Sequence, residues 1–208
     1  YFTVNVARDI HRRSPADIVL ARNVIPHVAD IHGVIEGMAG VLHDDGLAVI
    51  EFHYAGAILD DLQYDSIYHE HLFYFSLTTL LSLCARYGLH AFDVFDSPIS
   101  GGSIVLEISK NKIIKESLKI KNLEKYEKKI KINKLEYWLN FSKKCLEHKK
   151  KLNFILSKMK GKIYAFGASA RSSTLLNFCE ISNKTIFFWL KIHQFLLFHY
   201  FFQYKANY

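Results

Sequence analysis

The 208-residue chain has three cysteines, and no two of them form a CxxC pair. Cys84, Cys145 and Cys179 lie scattered in apolar or helical contexts, which argues against both a zinc site and a disulfide framework. A reducing, cytoplasmic compartment is the expectation that goes with such thiols. No charged region precedes the apolar residues of Tyr1-Phe2-Thr3-Val4-Asn5-Val6-Ala7, so no signal peptide is expected. Arginine–aromatic interleaving is also missing, and the formal charge of +7 does not read as a nucleic-acid groove. Most lysines fall between Lys110 and Lys162, where they suit the solvated face of helices. A clean membrane-length apolar run is absent too. Residues 186–202 come nearest, but Lys191, His193 and Gln194 interrupt them.

Half of the residues are hydrophobic, enough for a sizeable core. Residues 2–13 have helical spacing, and Ser14-Pro15 ends them. Ala16-Asp17-Ile18-Val19-Leu20-Ala21 is a short apolar run of the buried parallel-strand kind. Residues 22–27 read as the loop beyond it, residues 31–42 as a helix, Asp44-Asp45-Gly46 as a turn, and residues 47–52 as the next strand. Strand, helix, strand makes a βαβ unit. Such a sheet gathers ligands beyond the carboxyl ends of its strands, which places Asn23, His27, Glu51 and His53 on that rim. His53 reads better as a core strand residue. Residues 77–87 form an amphipathic helix closed by Gly88. Residues 89–95 and 104–108 read as a hairpin whose turn contains Gly101-Gly102. Residues 113–159 form one or two helices with an apolar seam and outward lysines, suited to packing on their own domain or against a second copy in a homodimer. A strand then enters the small-residue turn Gly167-Ala168-Ser169-Ala170-Arg171, which opens a helix. Backbone amides there can hold a phosphate, and Arg171 could add a charge-assisted bond; tight packing alone would also call for small residues.

Between the second strand and the amphipathic helix stands Tyr68-His69-Glu70-His71. An imidazole takes a proton near neutral pH, a phenol can donate to a developing enolate, and a carboxylate between imidazoles can fix a tautomer. His69 and His71 could instead face one metal if the stretch were a strand, but no further ligands stand at a recognisable spacing.

Taken in order, Asn23-Val24-Ile25-Pro26-His27, then residues 68–76, then Gly101-Gly102-Ser103, then Phe166-Gly167-Ala168-Ser169-Ala170-Arg171 resemble the S-adenosylmethionine-dependent sugar C-methyltransferases. These enzymes act on nucleotide-linked deoxy keto sugars. The resemblance covers roughly residues 1–179. It implies an α/β fold: a partial Rossmann-like class I methyltransferase sheet, a long helical region, and the start of a second Rossmann-like domain that binds the nucleotide sugar. The corresponding segments are 1–109, 110–160 and 161–180, with 181–208 as a divergent apolar tail for which a shifted or early-ended reading frame is the simplest account. The resemblance makes His71 the general base, with Tyr68 and Glu70 lining its pocket and His27 approaching the ketone oxygen or the enolate. It places Ala21, Arg22 and Asn23 beside the cofactor S-adenosylmethionine, and Gly101, Gly102, Ser169 and Arg171 beside the nucleotide-linked keto sugar. The family more often has lysine where Arg171 stands. Members also carry an N-terminal zinc module and a glycine-rich first loop; neither occurs in these 208 residues, so zinc is expected in no part of this chain. The other expectation is a non-catalytic nucleotide-sugar-binding remnant that acts through a partner.

Overall fold

A computed structural model describes residues 2–190. It divides into two compact units, Tyr1–Asp61 with His69–Trp138, and Leu62–Tyr68 with Leu139–Tyr208. Residues 62–68 thus group with the later chain rather than with the linear segment 1–109.

The first unit opens with α1 (Val4–Arg13), whose first turn is capped by the Thr3 hydroxyl accepting from the Val6 amide; its last turn carries His11, Arg12 and Arg13, favourably placed against the helix dipole. β1 (Ala16–Arg22) and β2 (Leu42–His53) pair in parallel through α2 (Ile31–Val41), the crossover the hydrophobic pattern requires. The Asp30 carboxylate caps α2, and Ile31, Val34, Ile35 and Met38 turn inward from it. β2 begins five residues earlier than the expected 47. Ala16 pairs with Leu42 and Ile18 with Leu47, so residues 43–46 bulge from the ladder. The Asp44-Asp45-Gly46 turn persists as that bulge, because an extended flank can resume pairing on both sides of it.

After α3 (Ala55–Asp60) and, beyond residues 62–68, α4 (Leu77–Ala85), the hairpin β3 (His90–Ser97) and β4 (Ser103–Ser109) completes the sheet. The strand order is β1-β2-β4-β3, with β4 antiparallel to both neighbours. Its core gathers Ile35, Ile50, Phe52, Leu77, Leu80, Leu106 and Ile108, all fully buried. The expected helical stretch is two helices, α5 (Leu118–Ile130) and α6 (Leu135–Lys158), separated where Lys131 takes a left-handed conformation at φ 57°.

Gly102 adopts φ +132°, and a Cβ there would lie 2.6 Å from the Ala57 Cβ on α3. Its carbonyl also accepts from the Tyr54 amide at 3.1 Å. Gly102→Ala is therefore expected to cost about 2–4 kcal/mol through strain plus overpacking. Gly40→Ala on α2, where nothing lies within 4 Å, should instead gain up to about 1 kcal/mol. Urea unfolding of both variants measures the contrast, and equal stabilities would refute the packing role given to Gly102.

The second unit holds the 3-10 turn Tyr64–Ser66, residues 139–158 of α6, and the unit β5 (Tyr164–Phe166), α7 (Ala170–Cys179), β6 (Phe188–Leu190). Lys149 pairs with Glu180 at 2.7 Å and the Asn153 amide donates to the Cys179 carbonyl at 2.8 Å, joining α6 to the end of α7. β6 pairs in parallel with β5, so the stretch read as a divergent tail contributes a further strand to this unit. The rest of that tail, residues 191–208, lies outside the described residues, and so does the reading-frame expectation attached to it. Among the described residues, no helix is long and apolar enough to cross a membrane.

Candidate active site

The carboxyl ends of β1 and β2 form the rim of the first unit's sheet. Ala21 is buried in β1; the Arg22 guanidinium pairs with the Glu51 carboxylate at 2.7 Å, and that carboxylate also accepts from the Ser97 hydroxyl at 2.7 Å. Asn23 follows at φ 52°, its amide donating to the Glu51 carbonyl at 2.8 Å. The chain then folds into the 3-10 turn Ile25–His27, with Pro26 near its start. His53 is buried in β2, as its place in the strand suggested.

This turn is the seat of the polar loop. The Pro26 carbonyl accepts from the Leu72 amide at 2.7 Å and from the Phe73 amide at 3.3 Å. One nitrogen of His27, Nδ1, donates to the Glu70 carbonyl at 2.9 Å. These bonds bring the His27 and His71 rings to a centroid separation of 4.7 Å, tilted by 59°, with Tyr74 6.0 Å beyond His71. Phe73 and Phe75 stack behind the loop, and Phe75 meets Phe52 of the core edge-on at 6.1 Å. The Phe75 carbonyl accepts from the Ala55 amide, and Ser76 then caps α4. The loop is thus fastened at both ends, while the Glu70 side chain stands exposed. Two imidazoles far apart in the chain, His27 and His71, share one small polar surface, a setting suited to proton transfer.

The second unit carries the other candidates. Tyr68 is half-buried at the end of residues 62–68. Ser169 caps α7 and exchanges hydrogen bonds with Ser172, and Gly167 before it takes φ +92°, which explains the glycine. The Arg171 guanidinium forks onto Asp65, Nε to one carboxylate oxygen at 2.8 Å and an NH2 group to the other at 3.0 Å. Beside that fork, the Tyr64 hydroxyl lies 2.8 Å from His148 Nδ1 and 3.4 Å from Cys179 Sγ. Burial, then hydrogen bonding to Cys179, raises the Tyr64 phenol above its ordinary value. Asp65 was not singled out from the sequence; its place three residues ahead of Tyr68 was the only available signal. Among the described residues, no three His, Cys, Asp or Glu side chains gather as a metal site.

Two family models match this chain in tandem, a methyltransferase domain over residues 3–93 and a C-methyltransferase C-terminal domain over residues 98–193. The chain thus joins a match to a methyltransferase domain with a match to a C-methyltransferase C-terminal domain. Its first sheet is a mixed α/β one, with β1 and β2 inside the methyltransferase-domain match. The C-methyltransferase NovU of Streptomyces niveus is 40% identical over 106 residues, covering 50% of this chain and 25% of NovU. The match therefore spans about a quarter of that relative's length. Similar solved structures include TnmH, at 25% identity and TM-score 0.37 over 47% of this chain and 31% of TnmH. Another is the O-methyltransferase NcsB1 from neocarzinostatin biosynthesis in complex with S-adenosylmethionine, at 22% identity and TM-score 0.36 over 46% of this chain and 30% of NcsB1.

Proposed function

We propose that this chain provides the proton-abstracting part of an S-adenosylmethionine-dependent C-methyltransferase acting on a nucleotide-linked deoxy keto sugar. The observation that supports this most is the His27–His71 pair, seated beyond the carboxyl ends of two parallel strands in a chain whose later part matches the C-methyltransferase C-terminal domain. His71 takes the proton from the carbon next to the ketone, which the carbonyl acidifies. His27 stands toward the ketone oxygen or the enolate, and Glu70 lines the same pocket. The electron pair released onto the carbon is what forms the new carbon–carbon bond. Bound S-adenosylmethionine supplies an activated sulfonium methyl, so deprotonation and alignment are the tasks left to the protein.

Ala21, Arg22 and Asn23 would hold the cofactor at the end of β1. Their surroundings suit a cation, because Glu51 already offsets the Arg22 charge at 2.7 Å. Ser169 and Arg171 would meet the nucleotide sugar; the Asp65 fork holds the Arg171 guanidinium plane in a defined orientation.

The test is to incubate the intact polypeptide with a nucleotide-linked keto sugar and methyl-labelled S-adenosylmethionine. Label on a carbon adjacent to the ketone is the expected product. Label only on oxygen, or none with any keto sugar, would overturn the reading.

A further inference from the structure

A groove of about 640 Å³ lies where α5 ends, and five lysines line it. Lys121, Lys125 and Lys128 come from α5; Lys131, at the left-handed break, and Lys134 come from the turn that follows. The carboxylates in the lining are Glu124 and Glu127, and the second is already bound to the Leu77 and Thr78 amides. Five cations against two anions leave a surplus of three positive charges. Among the described residues none of the five ammonium groups has an ion pair, whereas Lys119 on the same helix pairs with Asp93 at 3.2 Å. Steps of four and three residues bring Lys121, Lys125 and Lys128 onto one flank of α5, where like charges oppose one another. The helix dipole eases this for Lys128 in the last turn, but not for the other two. The wall is also fixed in place. The Asn133 side chain accepts from the Ser76 hydroxyl at 2.9 Å and donates to the Thr78 hydroxyl at 2.7 Å, and Ile132 beside it is buried.

We infer that this groove is a binding site for a small ligand carrying two or more phosphate groups in a row. Its volume falls within the range of small-molecule sites, about 300–1,000 Å³. No arginine lines it, so the planar fork that best grips a carboxylate is missing; lysine serves phosphate as a point charge. From Lys121 to Lys128 the helix rises about 10 Å, within which a short phosphate chain meets several ammonium groups at once. A single phosphate or carboxylate would leave most of the surplus unanswered. None of the lining residues is among those given to S-adenosylmethionine or to the keto sugar, and the site stands whether or not that reaction does.

Calorimetric titration of the full chain with inorganic tripolyphosphate at fixed ionic strength is the test. One site is expected, with the thermal unfolding midpoint rising by about 3 °C or more at a tenfold excess of ligand over Kd. Lys125→Glu combined with Lys128→Glu should weaken binding by about tenfold or more, because two attractions become repulsions at short range. Lys143→Glu combined with Lys144→Glu makes the same change in net charge on α6, outside the lining, and should leave the affinity within about twofold. All four side chains are exposed, and unfolding midpoints without phosphate check that both variants fold. A nucleoside triphosphate is the second probe. Affinity equal to that of tripolyphosphate identifies the phosphate chain alone as the ligand, and a tenfold gain identifies a nucleotide; both sustain the site. Equal affinity for citrate, equal losses in the two double variants, or no binding of either phosphate probe at millimolar concentration would overturn it.

Discussion

Replacing His71 with glutamine is expected to slow deuterium exchange at the keto sugar, and methyl transfer with it, by about 10²–10⁴-fold, the usual worth of a positioned general base. Glutamine keeps a polar, planar side chain in the half-buried space between His27 and Tyr74 but cannot take up a proton. Exchange requires only deprotonation, so it isolates this step from cofactor binding. Thermal unfolding of the variant checks that the loop is intact; its main fastenings are backbone bonds to Pro26 and to Ala55, which the substitution leaves in place. An exchange rate within threefold of native in a folded variant would remove His71 from the chemistry.

The second large effect concerns stability. Glu127 is 1% exposed, yet its carboxylate is fully used: one oxygen accepts from the Leu77 amide at 2.6 Å, the other from the Thr78 amide at 2.9 Å. These are the first two amides of α4, which have no partners inside the helix, and the carboxylate also lies where the helix dipole favours a negative charge. Glu127→Ala strands both donors in a dry site and is expected to cost about 2–5 kcal/mol. Glu127→Gln keeps one acceptor and should cost about half as much. The same carboxylate stands near the Tyr54 phenol, whose proton is held above the ordinary range first by burial and then by the Glu127 charge. Denaturant titration of the three proteins decides the matter; a Glu127→Ala chain within 0.5 kcal/mol of native would show that the amides find other partners. Since α4 begins where the polar loop ends, the loop should loosen in step with the loss.

Much of the first unit was legible because its signals are local. The apolar run 16–21, the spacing from Ile31 to Met38 and the stop at Gly88 each reflect the chain's own periodicity or backbone freedom, and β1, α2 and α4 follow them closely. The polar loop was visible as composition, and its neighbourhood to His27 followed from the rule for open sheets. What stayed hidden depends on distant partners. Glu127 looks like Glu124 in the same lysine-rich stretch, but one is buried against α4 and the other is not. The Asp65–Arg171 fork joins residues 106 apart with no periodicity to announce it. The break between α5 and α6 has neither glycine nor proline; Lys131 turns left-handed so that Ile132 can be buried and its amide can reach the Glu127 carbonyl.

β1 is the edge of its sheet among the described residues, and Ile18 and Leu20 stand 59% and 73% exposed along it. An edge of this kind is a template with one side unread. Its free amides and carbonyls will accept an incoming extended segment in either direction, and the uncovered aliphatic side chains reward the match. Folding of this chain therefore ends in a race: a strand supplied by the same polypeptide would close the line, while a strand from a neighbouring molecule would extend it. The outcome of that race turns on concentration, because only the second contestant arrives faster as the solution grows crowded.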